Sequence, residues 1–262
     1  MATTTKPNSL QRLVQRTSWS LRKRFAPPKG VAFAERTMPD VSADTFEIMR
    51  AVEPYTMLSP ERLLATIEAT RHVARHNIPG AIVECGVWRG GACMAAMLAL
   101  QQLGAPERDF YLYDTFAGMN APTEHDRTHH GKTAADQFEQ ERLDENSSNW
   151  CRCELSAVRS NVETVGYNPD RVHYVKGVVE DTIPATIPDQ IAVLRLDTDW
   201  YVSTRHELEH LFPRLERGGT LLIDDYGHWD GVRQAVDEYF AEHNVAMFLQ
   251  RTDYTGRAGV KV

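Results

Sequence analysis

Short apolar segments and amphipathic segments alternate along most of the chain, and this alternation limits the fold more than any other feature. Five segments rich in β-branched, aromatic and leucine side chains predict buried strands. They are Ala81–Glu84, Phe110–Tyr113, Val172–Lys176, Ile191–Leu196 and Thr220–Ile223. Because segments with helical spacing separate these strands, the pattern favours a parallel sheet with helices packed on both faces.

Helices and a closing hairpin complete the predicted sheet. The predicted helices are 59–76, Gly90–Leu103, Ser203–Leu215 and 229–243. Ser59 is a good capping residue for the first helix, and Pro60 fits its first position. Two further apolar segments, Val245–Gln250 and Gly256–Val262, lie close together in the chain and predict an antiparallel pair at one edge. The sequence therefore predicts an α/β fold of about seven strands, mostly parallel.

Charge is divided unevenly between the start of the chain and the rest. The net charge is −7, yet residues 1–30 contain seven Lys or Arg side chains and no acidic one. We interpret this stretch as a flexible basic arm and residues 31–262 as one domain. The domain carries 22 basic and 36 acidic side chains, which argues against nucleic-acid binding because Lys and Arg dominate phosphate contacts.

The location of the protein is also predicted from composition. No apolar run approaches the roughly 18 residues of a membrane-spanning helix, and we find no secretion-signal pattern. Disulfides are rare in the cytosol. We therefore expect a cytoplasmic protein with no membrane partner, whose four cysteines are reduced thiols.

Residues 116–149 interrupt the alternation with a polar segment that contains Gly118, Pro122 and Gly131. A long irregular insertion in a compact domain is usually functional, so we interpret this one as lid-like. His125 within it is a candidate for contacting a substrate, against the alternative of a solvated loop histidine. His228, which follows the fifth strand, is the second candidate.

A glycine-rich turn follows the first strand. The sequence Glu84-Cys85-Gly86-Val87-Trp88-Arg89-Gly90-Gly91 leads from the strand into the next helix, where glycine allows backbone to approach a ligand. Asp114 ends the second strand, 23 residues beyond Gly91. An acidic residue at that place can accept hydrogen bonds from ribose hydroxyls. Together these features predict an adenosine-containing ligand, without distinguishing a nicotinamide cofactor from S-adenosylmethionine.

Acidic residues also follow the fourth and fifth strands. Asp197 and Asp199 close one strand, and Asp224 and Asp225 close the next. Because the carboxyl ends of parallel strands face one crevice, the four carboxylates are expected to meet there. An oxygen-rich cluster suits Mg²⁺, Mn²⁺ or Ca²⁺. Capping of the following helices is the alternative role for these aspartates.

At this point the sequence resembles a known family. The turn GVWRGG with Asp114, the segment LRLDTDWY-x-ST at 194–204 and the segment GGTLLIDDYG at 218–227 are similar to the macrocin, or TylF-type, O-methyltransferases. The resemblance covers roughly residues 50–262. It implies a Rossmann-like methyltransferase fold, S-adenosylmethionine, a divalent metal such as Mg²⁺, and methylation of sugar hydroxyls in natural-product biosynthesis. Homo-oligomers are also implied.

The resemblance implies roles for individual residues. The implied metal ligands are Asp197, Asp224 and Asp225, and either Asp199 or Asp197 is the general base. The implied cofactor-binding residues are Tyr55, Thr56, Met57, Glu84, Gly86, Arg89, Gly90, Asp114 and Asp181. Three other functions remain open from sequence: a catechol-type methyltransferase, a nucleotide-binding dehydrogenase and a non-catalytic binding module.

Overall fold

The computed structural model describes residues 30–262, and its strands form one sheet. They are β1 (Ala81–Cys85), β2 (Phe110–Asp114), β3 (Val172–Lys176), β4 (Ile191–Leu196), β5 (Leu215–Ile223), β6 (Gln250–Arg251) and β7 (Arg257–Val260). Their order across the sheet is β3-β2-β1-β4-β5-β7-β6. The first five run parallel, and β7 pairs antiparallel with both β5 and β6. The predicted mostly parallel sheet with an antiparallel edge is therefore confirmed.

Helices cover both faces of this sheet. They are α1 (Val31–Thr37), α2 (Ala43–Val52), α3 (Pro60–Arg75), α4 (Gly91–Gln102), α5 (Ala134–Glu141), α6 (Leu155–Glu163), α7 (Val179–Thr182), α8 (Tyr201–Leu211) and α9 (Asp230–Glu242). One hydrophobic cluster joins α2, α3, α4 and α6 to one face of the sheet. A second cluster joins α8 and α9 to the opposite face.

Alternation of side chains within the strands produces these two clusters. In β1, Ile82 belongs to the first cluster and Val83 to the second. Every residue of β1 and of β4 is buried, as expected for parallel strands that are covered on both faces. The first helix of the prediction begins as expected, because the Ser59 side chain accepts a hydrogen bond from the Arg62 backbone N–H.

Several predicted boundaries are wrong. The helix predicted at Ser203–Leu215 ends at Leu211, and Pro213 lies in a 3-10 turn before β5 begins at Leu215. The strand predicted at Val245–Gln250 is reduced to Gln250–Arg251. Residues 245–249 alternate correctly, and three of them pack on the second cluster, but strand structure also requires a hydrogen-bonded neighbour.

The insertion is more regular than expected. Residues 116–149 contain α5 and three isolated β-bridges, one of which joins Thr128 to Trp229. Asp126 and Phe138 within it are buried. Helices α1, α2 and α6 were not predicted at all. The basic arm lies outside the described residues, apart from Gly30.

Within residues 30–262, no helix is both long and apolar enough to cross a membrane.

Candidate active site

A cleft of about 400 Å³ opens at the carboxyl ends of the parallel strands. It is lined by residues that follow β1, β2, β4 and β5, and by the segment that precedes α3. Of the residues predicted from sequence, it brings together Tyr55, Thr56, Met57, Glu84, Gly86, Asp114, Asp197, Asp199, Asp224, Asp225 and His228.

Glycines allow three segments to approach each other beside this cleft. A Cβ added at Gly86 would lie 2.0 Å from the backbone oxygen of Asp197, and Gly86 has a φ of 84°. A Cβ at Gly91 would lie 2.6 Å from the Tyr55 carbonyl oxygen. The glycine-rich turn therefore packs against both the end of β4 and the segment before α3, at distances that no side chain permits.

Asp114 holds the glycine-rich turn in place. One of its carboxylate oxygens accepts hydrogen bonds from the backbone N–H groups of Val87 at 2.7 Å and Trp88 at 3.0 Å. The other accepts from Phe116 N–H at 2.7 Å. Burial raises the pKa of Asp114, although the three backbone donors oppose that shift. The carboxylate thus links the end of β2 to the turn after β1.

Arg195 is a buried cation at the base of the cleft. Its side chain is 5% exposed and donates to Glu84 at 3.0 Å, Asp197 at 2.8 Å and Asp224 at 2.6 Å. Burial raises the pKa of Glu84 to about 7, against the opposing effect of Arg195. Sequence analysis did not assign a role to Arg195. Its signal was a charged side chain inside an otherwise apolar strand, which is costly unless the charge is paired.

Three carboxylates form a cluster on the solvent side of Arg195. Ligand oxygens of Asp197, Asp199 and Asp225 all lie within 4.8 Å of one another. Burial raises the pKa of Asp199 to about 7, with the Asp197 charge adding to the shift. Burial and the neighbouring carboxylates also raise the pKa values of Asp197 and Asp225. A hard divalent cation fits such a set, because it would neutralise carboxylates that repel each other.

Asp224 differs from the metal set that the resemblance implies. Its two oxygens bond to Arg195 and to Arg62, so it is not part of the three-carboxylate cluster. Arg62 also donates to Asp253 at 3.0 Å, and Ser59 donates to the same carboxylate at 2.8 Å. Sequence analysis missed Arg62 as a site residue, because no local pattern relates positions 162 residues apart.

A family model described as Macrocin-O-methyltransferase (TylF) matches residues 31–258. That match spans far more than half of the chain. The chain belongs to the macrocin O-methyltransferase family. As a member it is an S-adenosylmethionine-dependent O-methyltransferase. The family and the enzyme class expected from sequence are therefore confirmed.

Individual relatives agree with this assignment. The mycinamicin III 3''-O-methyltransferase of Micromonospora griseorubida is 32% identical over 202 residues, which are 77% of this chain and 76% of that protein. The 8-demethyl-8-(2,3-dimethoxy-alpha-L-rhamnosyl)-tetracenomycin-C 4'-O-methyltransferase of Streptomyces olivaceus is 35% identical over 77% of this chain and 74% of its own length. The solved structure of the O-methyltransferase NovP superposes with a TM-score of 0.70 at 30% identity, covering 79% of this chain and 82% of that one.

Four predicted site residues of this O-methyltransferase lie away from the cleft surface. Arg89 is exposed, and its guanidinium stacks over the Trp88 ring at 4.7 Å. Gly90 is buried beneath the turn, where an added Cβ would meet Val162 at 3.0 Å. Asp181 is exposed because α7 turns it outward, whereas Val178, Val179 and Glu180 line the cleft. Arg89, Gly90 and Asp181 are not among the residues that line the cleft, and their binding of the cofactor stays a prediction.

The fourth is His125, a predicted substrate contact. Its ring stacks on Tyr201 at 4.5 Å, and its Nδ1 lies 3.1 Å from the Gln234 side-chain oxygen. These neighbours belong to α8 and α9 and hold the ring outside the cleft. His228 does line the cleft, where its Nδ1 bonds to the Tyr254 hydroxyl.

Aromatic side chains form part of the wall of the cleft. Trp150 and Trp229 line the cleft, and their ring centroids lie 5.6 and 5.3 Å from that of the buried Trp200 and 6.1 Å from each other. Trp200 is 1% exposed and is therefore a core residue. Trp229 is 5% exposed and still borders the cleft.

Proposed function

We propose that this O-methyltransferase transfers a methyl group from S-adenosylmethionine to a hydroxyl of a sugar, with the help of a divalent cation such as Mg²⁺. The sugar would belong to a natural product or to its nucleotide-activated precursor. The observation that carries the proposal is the carboxylate cluster of Asp197, Asp199 and Asp225, which shares one cleft with the glycine-rich turn and Asp114. The sugar-modifying activities named for its relatives support the acceptor class.

The cofactor is proposed to lie between the glycine-rich turn and the segment before α3. S-adenosylmethionine supplies an electrophilic methyl group on a sulfonium. Gly86 leaves room for it, Glu84 and the Tyr55–Met57 segment border the space at its amino-acid end, and Asp114 stands at the end of β2 where a ribose would lie. These residues bind and orient; they do not take part in proton transfer.

The metal site is proposed at Asp197 and Asp225, with Asp224 as the third ligand that the resemblance implies. A hard divalent cation there would lower the pKa of an acceptor hydroxyl. Asp224 would have to exchange its bond to Arg62 for this role, whereas its bond to Arg195 lies on the other oxygen. Arg195 keeps Asp197 and Asp224 facing each other across the ends of β4 and β5.

Of the two candidates from sequence, Asp199 and Asp197, we propose Asp199 as the general base. Asp197 bonds to Arg195 at 2.8 Å, so one of its oxygens is already occupied. A pKa of about 7 leaves Asp199 able to accept a proton near neutral pH. The neighbouring aromatic wall of Trp150 and Trp229 is suited to the apolar face of a sugar ring and excludes water from the reacting oxygen.

The test is methyl transfer from labelled S-adenosylmethionine to a panel of nucleotide sugars, glycosides and catechols. We expect turnover with sugar acceptors, loss of turnover in EDTA and recovery with Mg²⁺. Turnover only with catechols, or full activity in EDTA, would overturn the acceptor or the metal proposal respectively. Nicotinamide cofactor binding in place of S-adenosylmethionine, measured by calorimetry, would contradict the cofactor assignment.

A homo-oligomer working in the cytoplasm is proposed as the setting of this reaction. The oligomer is implied by the resemblance alone, and light scattering on the purified chain tests it. The four cysteines at positions 85, 93, 151 and 153 are all free thiols, which supports a reducing compartment.

A further inference from the structure

A buried carboxyl lies directly beneath the catalytic aspartates and takes no part in the chemistry described so far. Glu207 on α8 is 0% exposed. One of its oxygens accepts a hydrogen bond from the Thr198 hydroxyl at 2.9 Å, and the Cys85 thiol is its other polar neighbour. Its second oxygen has no hydrogen-bond partner among the described residues.

Such a group costs stability wherever it is buried without full pairing. Burial raises the pKa of Glu207 well above its ordinary value. Leu208 and Trp200 belong to the apolar cluster on this face of the sheet. A methionine of similar size would fill the position without a buried carboxyl, and it would remove the hydrogen bond from the Thr198 hydroxyl. The carboxyl therefore points to a functional requirement for that bond.

The residue that Glu207 contacts lies between the two aspartates of the β4 end. Thr198 separates Asp197 from Asp199, and Asp199 has a φ of 69°. The left-handed region of backbone conformation is unfavourable for residues other than glycine. Such a residue stays in that region only where surrounding contacts impose it.

On the carboxyl-terminal side of Asp199, three hydrogen bonds hold this conformation. Trp200 N–H donates to the Thr198 carbonyl at 2.9 Å, the Trp200 indole donates to the Asn120 carbonyl at 3.1 Å, and Tyr201 N–H donates to Asp126 at 2.8 Å. On the amino-terminal side, two side-chain bonds restrain the segment: Arg195 donates to Asp197 at 2.8 Å, and Thr198 donates to Glu207 at 2.9 Å. The second belongs to the residue that directly precedes Asp199.

We propose that Glu207 is a positioning residue: through the Thr198 hydroxyl it holds Asp199 in the left-handed conformation that aims its carboxylate at Asp197 and Asp225. The inference rests on the proposed role of Asp199 as general base. Glu207 itself does not line the cleft. The positioning role requires a hydrogen-bond-accepting oxygen on the side chain at this position rather than a charge.

Two pairs of variants test the bond from both ends. Glu207→Met and Thr198→Val remove it, whereas Glu207→Gln and Thr198→Ser keep an amide or a hydroxyl in place. We expect the first pair to lower kcat by about tenfold or more, as misplacement of a catalytic group does, with the Kd for S-adenosylmethionine within about twofold of the wild-type value. The second pair should stay within about threefold of wild-type kcat.

Thermal stability separates this role from a structural one. Glu207→Met should melt at or above the wild-type temperature while it loses kcat, because it removes a buried polar group. The double variant Thr198→Val/Glu207→Met should be no slower than either single variant, since both delete the same bond. Glu209→Met is the matched control on the same helix, where Glu209 is exposed and pairs with Arg205; its kcat should be unchanged.

Three results would overturn the proposal: wild-type kcat in Glu207→Met, a Glu207→Gln variant as slow as Glu207→Met, or additive losses in the double variant. Asp199→Asn in the same assay keeps the two hypotheses apart. An active Asp199→Asn refutes the proposed general base whatever Glu207 does. An inactive Asp199→Asn together with an active Glu207→Met refutes only the positioning role.

Discussion

At the scale of single residues, two carboxyl groups in the cleft share a pKa of about 7 for different reasons. Glu84 is 3% exposed and faces Arg195, so burial raises its pKa against an opposing cation. Asp199 pairs with no arginine within residues 30–262, and the Asp197 charge adds to the effect of burial. Only Asp199 belongs to the three-carboxylate cluster, and only there can a raised pKa serve an acceptor hydroxyl.

Asp199→Asn should therefore remove the proposed general base. We expect kcat to fall about 10²- to 10⁴-fold, the usual contribution of a positioned base. The Kd for S-adenosylmethionine should stay within about twofold, because Asp199 does not border the glycine-rich turn. Steady-state kinetics with a saturating sugar acceptor and calorimetry with the cofactor measure the two quantities. Asp136→Asn on the exposed face of α5 serves as the control.

Asp199 should also make the stability of the metal-free protein depend on pH. Its folded pKa of about 7 lies above the unfolded value of about 4. Between these two values the folded state binds more protons, so its free energy of unfolding decreases as pH rises. We expect the melting temperature in EDTA to increase when pH is lowered from about 8 to about 5.5. Asp199→Asn should show a smaller increase, and an identical slope in both proteins would contradict the raised pKa.

At the scale of elements, one buried carboxylate joins the 116–149 insertion to both α8 and α9. Asp126 is buried, accepts hydrogen bonds from Thr123, and accepts a further one from the Tyr201 backbone N–H at the start of α8. A Cβ added at Gly231 would lie 2.4 Å from the same carboxylate, so α9 closes over it. The insertion, α8 and α9 thus meet at one side chain.

Asp126→Ala should loosen this junction. We expect a loss of about 2 kcal/mol in the free energy of unfolding, since the change removes charge-assisted bonds and a helix-terminal partner. If the insertion acts as a lid, the KM for the acceptor should rise while cofactor affinity stays unchanged. Urea denaturation and acceptor kinetics report the two effects. Asp136→Ala, in the same insertion but exposed, should change neither.

At the scale of the whole molecule, the cleft gathers carboxylates from segments far apart in the chain and balances them with two arginines. Arg195 comes from the strand itself, and Arg62 comes from α3 on the other side of the cleft. Both bond to Asp224, and Arg195 also bonds to Asp197, so within the described residues Asp199 and Asp225 are the two members of the cluster without an arginine bond. A ligand that binds only the folded state at this cluster would stabilise the whole fold.

Mg²⁺ should therefore raise the melting temperature of the wild-type protein relative to EDTA. A concentration 100 times the Kd corresponds to about 2.7 kcal/mol of added stability. Asp197→Asn and Asp225→Asn should abolish the increase, because both are proposed ligands. The same assay identifies the third ligand by comparing Asp224→Asn with Asp199→Asn. Loss of the increase in Asp224→Asn supports the set implied by the resemblance. Loss in Asp199→Asn but not in Asp224→Asn would reassign Asp199 from base to ligand.

Local sequence patterns specify the layered architecture and the edge of the sheet at which the candidate site lies. Apolar runs such as Ile191–Leu196 specify buried strands, and glycine or aspartate after each run marks the carboxyl edge. These signals are local, because each depends on a few neighbouring residues. For the same reason Gly86, Asp114 and the four aspartates are predicted as site residues from sequence.

The bonding partners of those residues, in contrast, depend on long-range contacts in the folded protein. The tertiary structure places Arg62 on Asp224, Arg195 among three carboxylates and Glu207 beneath Thr198. Arg89, Asp181 and His125 do not line the cleft, because the direction of a side chain depends on the packing of its element. Hydrogen bonds in this chain join residues up to 194 positions apart. No periodicity in a sequence encodes contacts at that range.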